Sequence, residues 1–268
     1  MGALGTLRVL PTGRASARRA LHMLERNVMI YRKGWVMLVS GFFEPLFYLL
    51  SLGIGLNHLV GGVTVGSTTV SYAAFVAPGM LATSAMNGSM LDATFNTFFR
   101  LKISHSYEPV LATPLTVDDV ALGELSWCVT RGAMYSASFL VCMWILGDTS
   151  SPWAILCLPV AILTSIAFAC AGMAACTYLR SWQDFDLVML AVLPMFLFSG
   201  TFFPITQYPP WLQVVVRATP LYQAVALSRG CSLGQFDWAM LAHVAYLVIM
   251  ALVGLSITTR RFQRLLNP

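Results

Sequence analysis

Six apolar runs dominate the chain, at about 35–57, 72–98, 125–147, 154–179, 187–203 and 238–258. Each is close to the roughly 20 residues that a helix rising 1.5 Å per residue needs to cross a hydrocarbon core. Lipid offers no partner for exposed backbone N–H and C=O groups, so runs of this length must be helical. The chain therefore reads as an all-α integral membrane protein with six transmembrane helices. Composition agrees, since 57% of the 268 residues are hydrophobic and only 10% are charged, far from the balance of a soluble domain.

The basic residues orient these spans. Seven of them (Arg8, Arg14, Arg18, Arg19, Arg26, Arg32 and Lys33) precede the first apolar run. That pattern is not a cleavable signal peptide, so the first span is expected to stay. The connections near 58–71 and 148–153 contain no Lys or Arg, whereas Arg100, Lys102, Arg131, Arg180, Arg260, Arg261 and Arg264 fall on the other side. With both termini cytoplasmic, all basic residues except Arg217 and Arg229 are inside, as the positive-inside rule requires. The net charge of +5 is thus a topology signal spread over span ends, with no basic domain for nucleic acid.

Both exceptions lie in "FLFSGTFFPITQYPPWLQVVVRATPLYQAVALSRG", residues 196–230. A seventh span at 211–231 would bury Arg217 and Pro220 at the bilayer centre and force the basic tail outside. Two short helices are the better reading: Pro210 opens one over 210–218, and Thr219 with Pro220 opens a second ending at Gly230. Each spans only about 15 Å, so together they form an external re-entrant hairpin between spans five and six. An amphipathic loop lying flat on the outer surface fits the same composition.

Two segments are assigned to the cytoplasmic side. Residues 14–34 place Leu21, Leu24, Val28 and Tyr31 near one helical face that continues to Trp35, with Arg18, Arg19, Arg26 and Arg32 mostly off it. This fits a helix lying in the membrane interface, and also a solvated basic lead-in. In the 100–127 loop, Thr116 and Asp119 make a capping-box pattern that starts a helix near Val117. The preceding 100–112 segment can form a short helix presenting Tyr107, Glu108 and Leu111 to a cytoplasmic partner, or remain a plain solvated loop.

Glu44 and Asp92 fall inside apolar runs, where charge is costly and turns toward the bundle interior. Either lines a path or pairs structurally, with the structural role favoured for Asp92. Motifs for phosphate-loop, nucleophile-elbow, zinc-protease or dinucleotide chemistry are absent, the four histidines are scattered, and the six cysteines form no CxxC pair. The chain carries no catalytic, metal or cofactor signature. A membrane-embedded lipid-modifying enzyme using Glu44 or Asp92 as acid or base is the alternative from another class, and a structural or regulatory membrane subunit is a third.

The collinear segments "EPLFYLLSLGIGL" (44–56), "YAAFVAPGMLATSAM" (72–86), "TPLTVDDVALGELSW" (113–127), "FLFSGTFFPITQYPPWLQ" (196–213) and "TPLYQAVALSRG" (219–230) resemble the type-2 ABC exporter permeases, in the branch of nodulation-factor and daunorubicin exporters. The resemblance spans most of the chain. One departure is Gln223, where relatives are expected to carry His. It implies a non-enzymatic permease in a single transmembrane domain over 1–268, multi-pass in a bacterial plasma membrane. Its partners would be two ATPase subunits, which hold ATP and Mg, and a second permease chain that is identical or a close paralogue, in contact with membrane lipid. Residues 14–34 become an interfacial connecting helix marked by Arg18, Arg19, Arg26, Tyr31 and Trp35. Residues 100–112 become the coupling helix, with Arg100, Lys102, Tyr107, Glu108 and Leu111 toward the ATPase, and 204–230 the re-entrant hairpin. Glu44, Phe202, Phe203, Trp211 and Tyr222 would line the substrate pathway or gate. Substrates of such exporters are amphipathic: lipid-linked glycans, lipo-oligosaccharides or drugs.

Overall fold

A computed structural model describes residues 25–29, 43, 46, 47, 49–51, 55, 62–65, 68–113, 115–149 and 151–266. Most of the expected first span lies outside these residues, as do Glu44, Arg18, Arg19, Tyr31 and Trp35.

Before the first long described helix the chain departs from the all-α expectation. Strands β1 (Gly62–Val65) and β2 (Thr68–Ser71) pair antiparallel with Val63 opposite Val70. The expected loop here is rich in Val and Thr, whose branched side chains suit a pleated ribbon better than a coil. The Ser71 hydroxyl then accepts the Ala74 N–H at 3.2 Å and starts α1 (Tyr72–Leu91).

Helix α1 is the centre of the bundle. Nearly every residue from Tyr72 to Ser89 is buried, on all faces, the signature of a helix enclosed by protein and not by lipid. Thr83 and Ser89 are tolerated there because their hydroxyls return hydrogen bonds to carbonyls of the preceding turn. Below Leu91 the helix continues through two π-helical turns, Asp92–Asn96 and Phe99–Ile103.

A five-residue helix α2 (Tyr107–Leu111) leads to α3 (Val117–Leu146). The capping box expected from sequence is present: the Thr116 hydroxyl accepts the Asp119 N–H at 3.2 Å, and Asp119 accepts the Thr116 N–H at 2.9 Å. A 3-10 turn, Pro152–Leu156, precedes α4 (Cys157–Cys176). A short α5 (Phe185–Leu197), the pair α6 (Pro210–Ala218) and α7 (Pro220–Leu233), and the long α8 (Ala239–Leu266) complete the chain. Phe75, Met80, Phe139, Met143, Phe168, Leu221 and Leu247 interlock as one core.

Among the described residues, three helical segments are long and apolar enough to cross a membrane: Val117–Leu146, Pro152–Cys176 and Ala239–Leu266. Helix α1 is diluted by small and polar residues that its buried position permits. Helix α5 has 13 residues and rises only about 20 Å; the apolar run 198–203, expected to finish the fifth span, is not helical. Leu187, Leu190, Leu193 and Leu197 on α5, and Leu241, Ile249 and Leu252 on α8, are exposed. In water such stripes would be a liability, and in a bilayer they are the lipid-facing surface.

The turn joining α4 to α5 is held by Asp184, whose carboxylate accepts the Arg180 N–H at 2.6 Å and the Ser181 N–H at 3.1 Å. These two backbone bonds hold the carboxyl below its ordinary value. Because the folded-state value is depressed, the stabilisation is present above the ordinary carboxylate range and disappears as pH falls through the lowered value. Asp184→Asn should remove that acid-side loss of stability, read as the pH dependence of thermal unfolding in detergent.

Candidate coupling and gate sites

At the end of the bundle that carries 100–112, the π-helical continuation of α1 and the helix α3 run antiparallel and carry complementary charges. Asp92, 4% exposed, accepts from Arg131 Nη1 at 2.7 Å, and Arg131 Nε donates to the Tyr135 hydroxyl at 3.1 Å. Two turns further down, Arg100 Nη1 donates to Glu124 Oε1 at 2.6 Å and to Asn27 Oδ1 at 2.9 Å. Asn27, fully buried, returns a bond to Glu124 at 3.3 Å. The two ion pairs are rungs of one ladder, tied by Asn27 to the turn of helix at 25–29, where Arg26 is half-buried and Val28 exposed. The buried position of both pairs makes removal of one partner far costlier than loss of a surface pair.

Asp92 therefore has the structural role favoured for it. Glu124 and Asn27 join the site without standing out in the sequence. Their signal is spacing: Glu124 and Arg131 lie seven apart on α3, on one face, opposite Arg100 and Asp92 on the π-helical turns that continue α1.

The segment expected to meet an ATPase divides between inside and outside. Tyr107, expected to be presented to a partner, is instead 1% exposed and packs on Phe262 of α8 with ring centroids 6.2 Å apart. A bulky ring on a five-residue helix gains more from that apolar slot than from water, and burial pushes its phenol well above the ordinary value. Arg100 is buried in the ladder, and Lys102 donates from Nζ to the Leu179 carbonyl at 2.6 Å. Arg261 donates to the Thr177 carbonyl at 3.1 Å and stacks 4.3 Å from the Tyr178 ring. Both cations thus meet carbonyls at the C-terminal end of α4, where the helix dipole is negative. Glu108 and His105 remain exposed, with Nδ1 of His105 and Oε1 of Glu108 3.0 Å apart, and Leu111 is half-buried. His105 takes φ of 46°, the left-handed region that a residue with a side chain adopts at a cost, and so turns the chain sharply into α2.

At the opposite end, α6 and α7 start on prolines as expected and share Thr219 as the hinge. The second helix runs past Gly230 to Leu233. Gly230 sits in helical backbone within a close contact with Met240, and the terminating residue is Gly234, with φ of 69°. The hairpin is fastened to α8: the Tyr246 hydroxyl donates to the Ala218 carbonyl at 2.8 Å. Gln223 bridges the Arg217 carbonyl and His243 Nδ1. Arg217 is exposed, while Arg229 donates to the carbonyls of Gly200 at 2.9 Å and Phe75 at 3.3 Å and lies 3.9 Å over the Phe75 ring. Of the residues expected at a gate, Phe202 packs edge-on to Phe196 at 5.2 Å and Tyr222 contacts His243 edge-on at 6.4 Å. Phe203 and Trp211 project from the surface. They belong to one end of the molecule without converging on a single point.

These features define a helical, membrane-embedded protein with a buried ion-pair ladder at one end and a proline-started hairpin at the other. The chain belongs to the ABC-2 type transporter family, whose model matches residues 19–233. It is similar to nodulation protein J of Rhizobium meliloti (strain 1021), 33% identical over 245 residues that cover 91% of this chain and 92% of that one. Nodulation protein J of Rhizobium leguminosarum bv. trifolii is 34% identical over 241 residues, covering 89% and 90%. The inner membrane transport permease YadH of Escherichia coli (strain K12) is 23% identical over 242 residues, covering 89% and 92%. The chain is a membrane permease subunit of an ABC exporter.

Proposed function

We propose that this permease moves an amphipathic substrate, of the lipid-linked glycan, lipo-oligosaccharide or drug kind, out of the cytoplasm or inner leaflet. In this reading the chain has six spans with both termini cytoplasmic in a bacterial plasma membrane, and works beside a second permease chain. ATP and Mg are held by two partner ATPase subunits, which dock on the surface formed by His105, Glu108 and Leu111. The path runs past Glu44 and leaves beneath the hairpin carrying Phe202, Phe203, Trp211 and Tyr222.

The observation that carries it is the split character of 100–112. Its outward face is polar and exposed, while Arg100, Lys102 and Tyr107 root it in α3, α4 and α8. Force applied at His105 and Glu108 is delivered to three helices together, which is what a coupling element must do. The same burial counts against the lipid-modifying enzyme, because Asp92 is already neutralised by Arg131.

Co-purification with the partner ATPase tests this reading. Glu108→Lys reverses an exposed charge and should lower the permease-dependent ATPase stimulation about fivefold to tenfold, with unchanged folding. Stimulation at the wild-type level in Glu108→Lys and also in Leu111→Asp would remove the docking surface from consideration.

A further inference from the structure

Beneath the hairpin, between α7 and the start of α8, lies a cavity of about 330 Å³, lined by Gly200, Tyr222, Ala226, Arg229, Gln235 and His243 among others. Among the described residues, Arg229 on its wall is bonded to neutral groups: the carbonyls of Phe75, Gly200 and Thr201, and the Phe75 ring. The ion pairs of the described residues involve Arg100, His105 and Arg131, and none involves Arg229. The acid on the rim, Asp237, is exposed and accepts the Trp238 N–H at 2.6 Å. A guanidinium held in an apolar setting by carbonyls alone keeps its full charge unneutralised and favours an anion beside it.

The depth of the cavity narrows the choice of anion. Three exposed tryptophans, Trp153, Trp211 and Trp238, ring this end of the molecule. Trp153 meets Phe236, itself a wall residue, edge-on at 5.5 Å. Tryptophans concentrate at the level of lipid headgroups, where the abundant anion is phosphate, and guanidinium is the side chain best matched to its oxygens. We propose that this cavity binds a phosphate group, as the phosphodiester headgroup of an outer-leaflet phospholipid, with Arg229 facing its oxygens and Tyr222 and His243 completing the polar wall.

Native mass spectrometry of the purified full chain in detergent, with phosphatidylglycerol added, tests this. Wild type should retain one phospholipid per chain. Ala226→Phe places a ring in the cavity and leaves the carbonyl bonds of Arg229 in place; its occupancy should fall about tenfold, a difference of about 1.4 kcal/mol. Arg229→Gln should fall as far, and the Ala226 variant separates lost binding from lost folding. Inorganic phosphate, titrated by calorimetry, identifies the source. Competition with the lipid marks a site for any phosphate, and failure to compete marks a headgroup site that also needs the acyl chains. Equal retention of lipid and of phosphate by wild type and Ala226→Phe would overturn the assignment, whatever the transported substrate proves to be.

Discussion

Glu124→Leu should lower the stability of the folded chain by about 3–5 kcal/mol, because it leaves the Arg100 guanidinium buried without its carboxylate. Glu124 is 2% exposed and Arg100 8%, so water cannot replace the lost partner. The effect should appear as a large drop in the thermal midpoint in detergent and in the yield of folded protein. Removing both charges together, as Arg100→Leu with Glu124→Leu, should recover most of the loss, since the main penalty is the unpaired charge. Asn27→Ala should cost less, about 1–2 kcal/mol, because it removes neutral donors and acceptors from a pair that remains intact. A Glu124→Leu chain as stable as wild type would mean that the ladder is solvated in the membrane-embedded protein.

Gly254→Leu should be the most damaging change on the helix surfaces. A Cβ at this position would stand 2.8 Å from the carbonyl carbon of Cys170, 2.9 Å from its oxygen and 3.0 Å from the Ala171 nitrogen. All three are backbone atoms of α4, so no flexible side chain can give way, and the two helices must separate. Close backbone approach at small residues is how helices associate where lipid weakens any hydrophobic drive between them. Overpacking of this kind costs about 1–3 kcal/mol when neighbours can adjust, and more when they cannot. Transport and folded yield should both fall sharply. Gly55→Ala is the control: among the described residues nothing lies within 4 Å of its Cβ position, so it should be near neutral. Comparable losses in both variants would trace the effect to helix flexibility, not to contact with α4.

Local features with a short-range cause were legible in the sequence. The Thr116 and Asp119 box, the prolines that open α6 and α7, and the structural pairing of Asp92 each depend on a few residues or on a single energetic rule. Features set by tertiary contact were not. Gly230 and Gly234 look alike in sequence, yet it is Gly234 that takes the left-handed conformation and ends α7. The aromatic character of Tyr107 fits an exposed docking residue as well as a buried one until Phe262, 155 positions later, supplies its slot. The contacts of Arg229 with three backbone carbonyls and the Phe75 ring join residues far apart in the chain and have no sequence signature. The β1 and β2 ribbon has only a weak local signal, since four-residue strands rich in Val and Thr fit an extended loop as well as a pairing.

Helix α8 has a mechanical meaning beyond its role as a span. Near one end Phe262 packs on Tyr107 of α2; near the other, His243 and Tyr246 hold Gln223 and the Ala218 carbonyl of the hairpin. The helix between these grips is unbroken and rises about 28 Å. One continuous helix therefore joins the segment that holds Tyr107 to the proline-started hairpin, so a displacement of either along the helix axis is expected to be felt at the other.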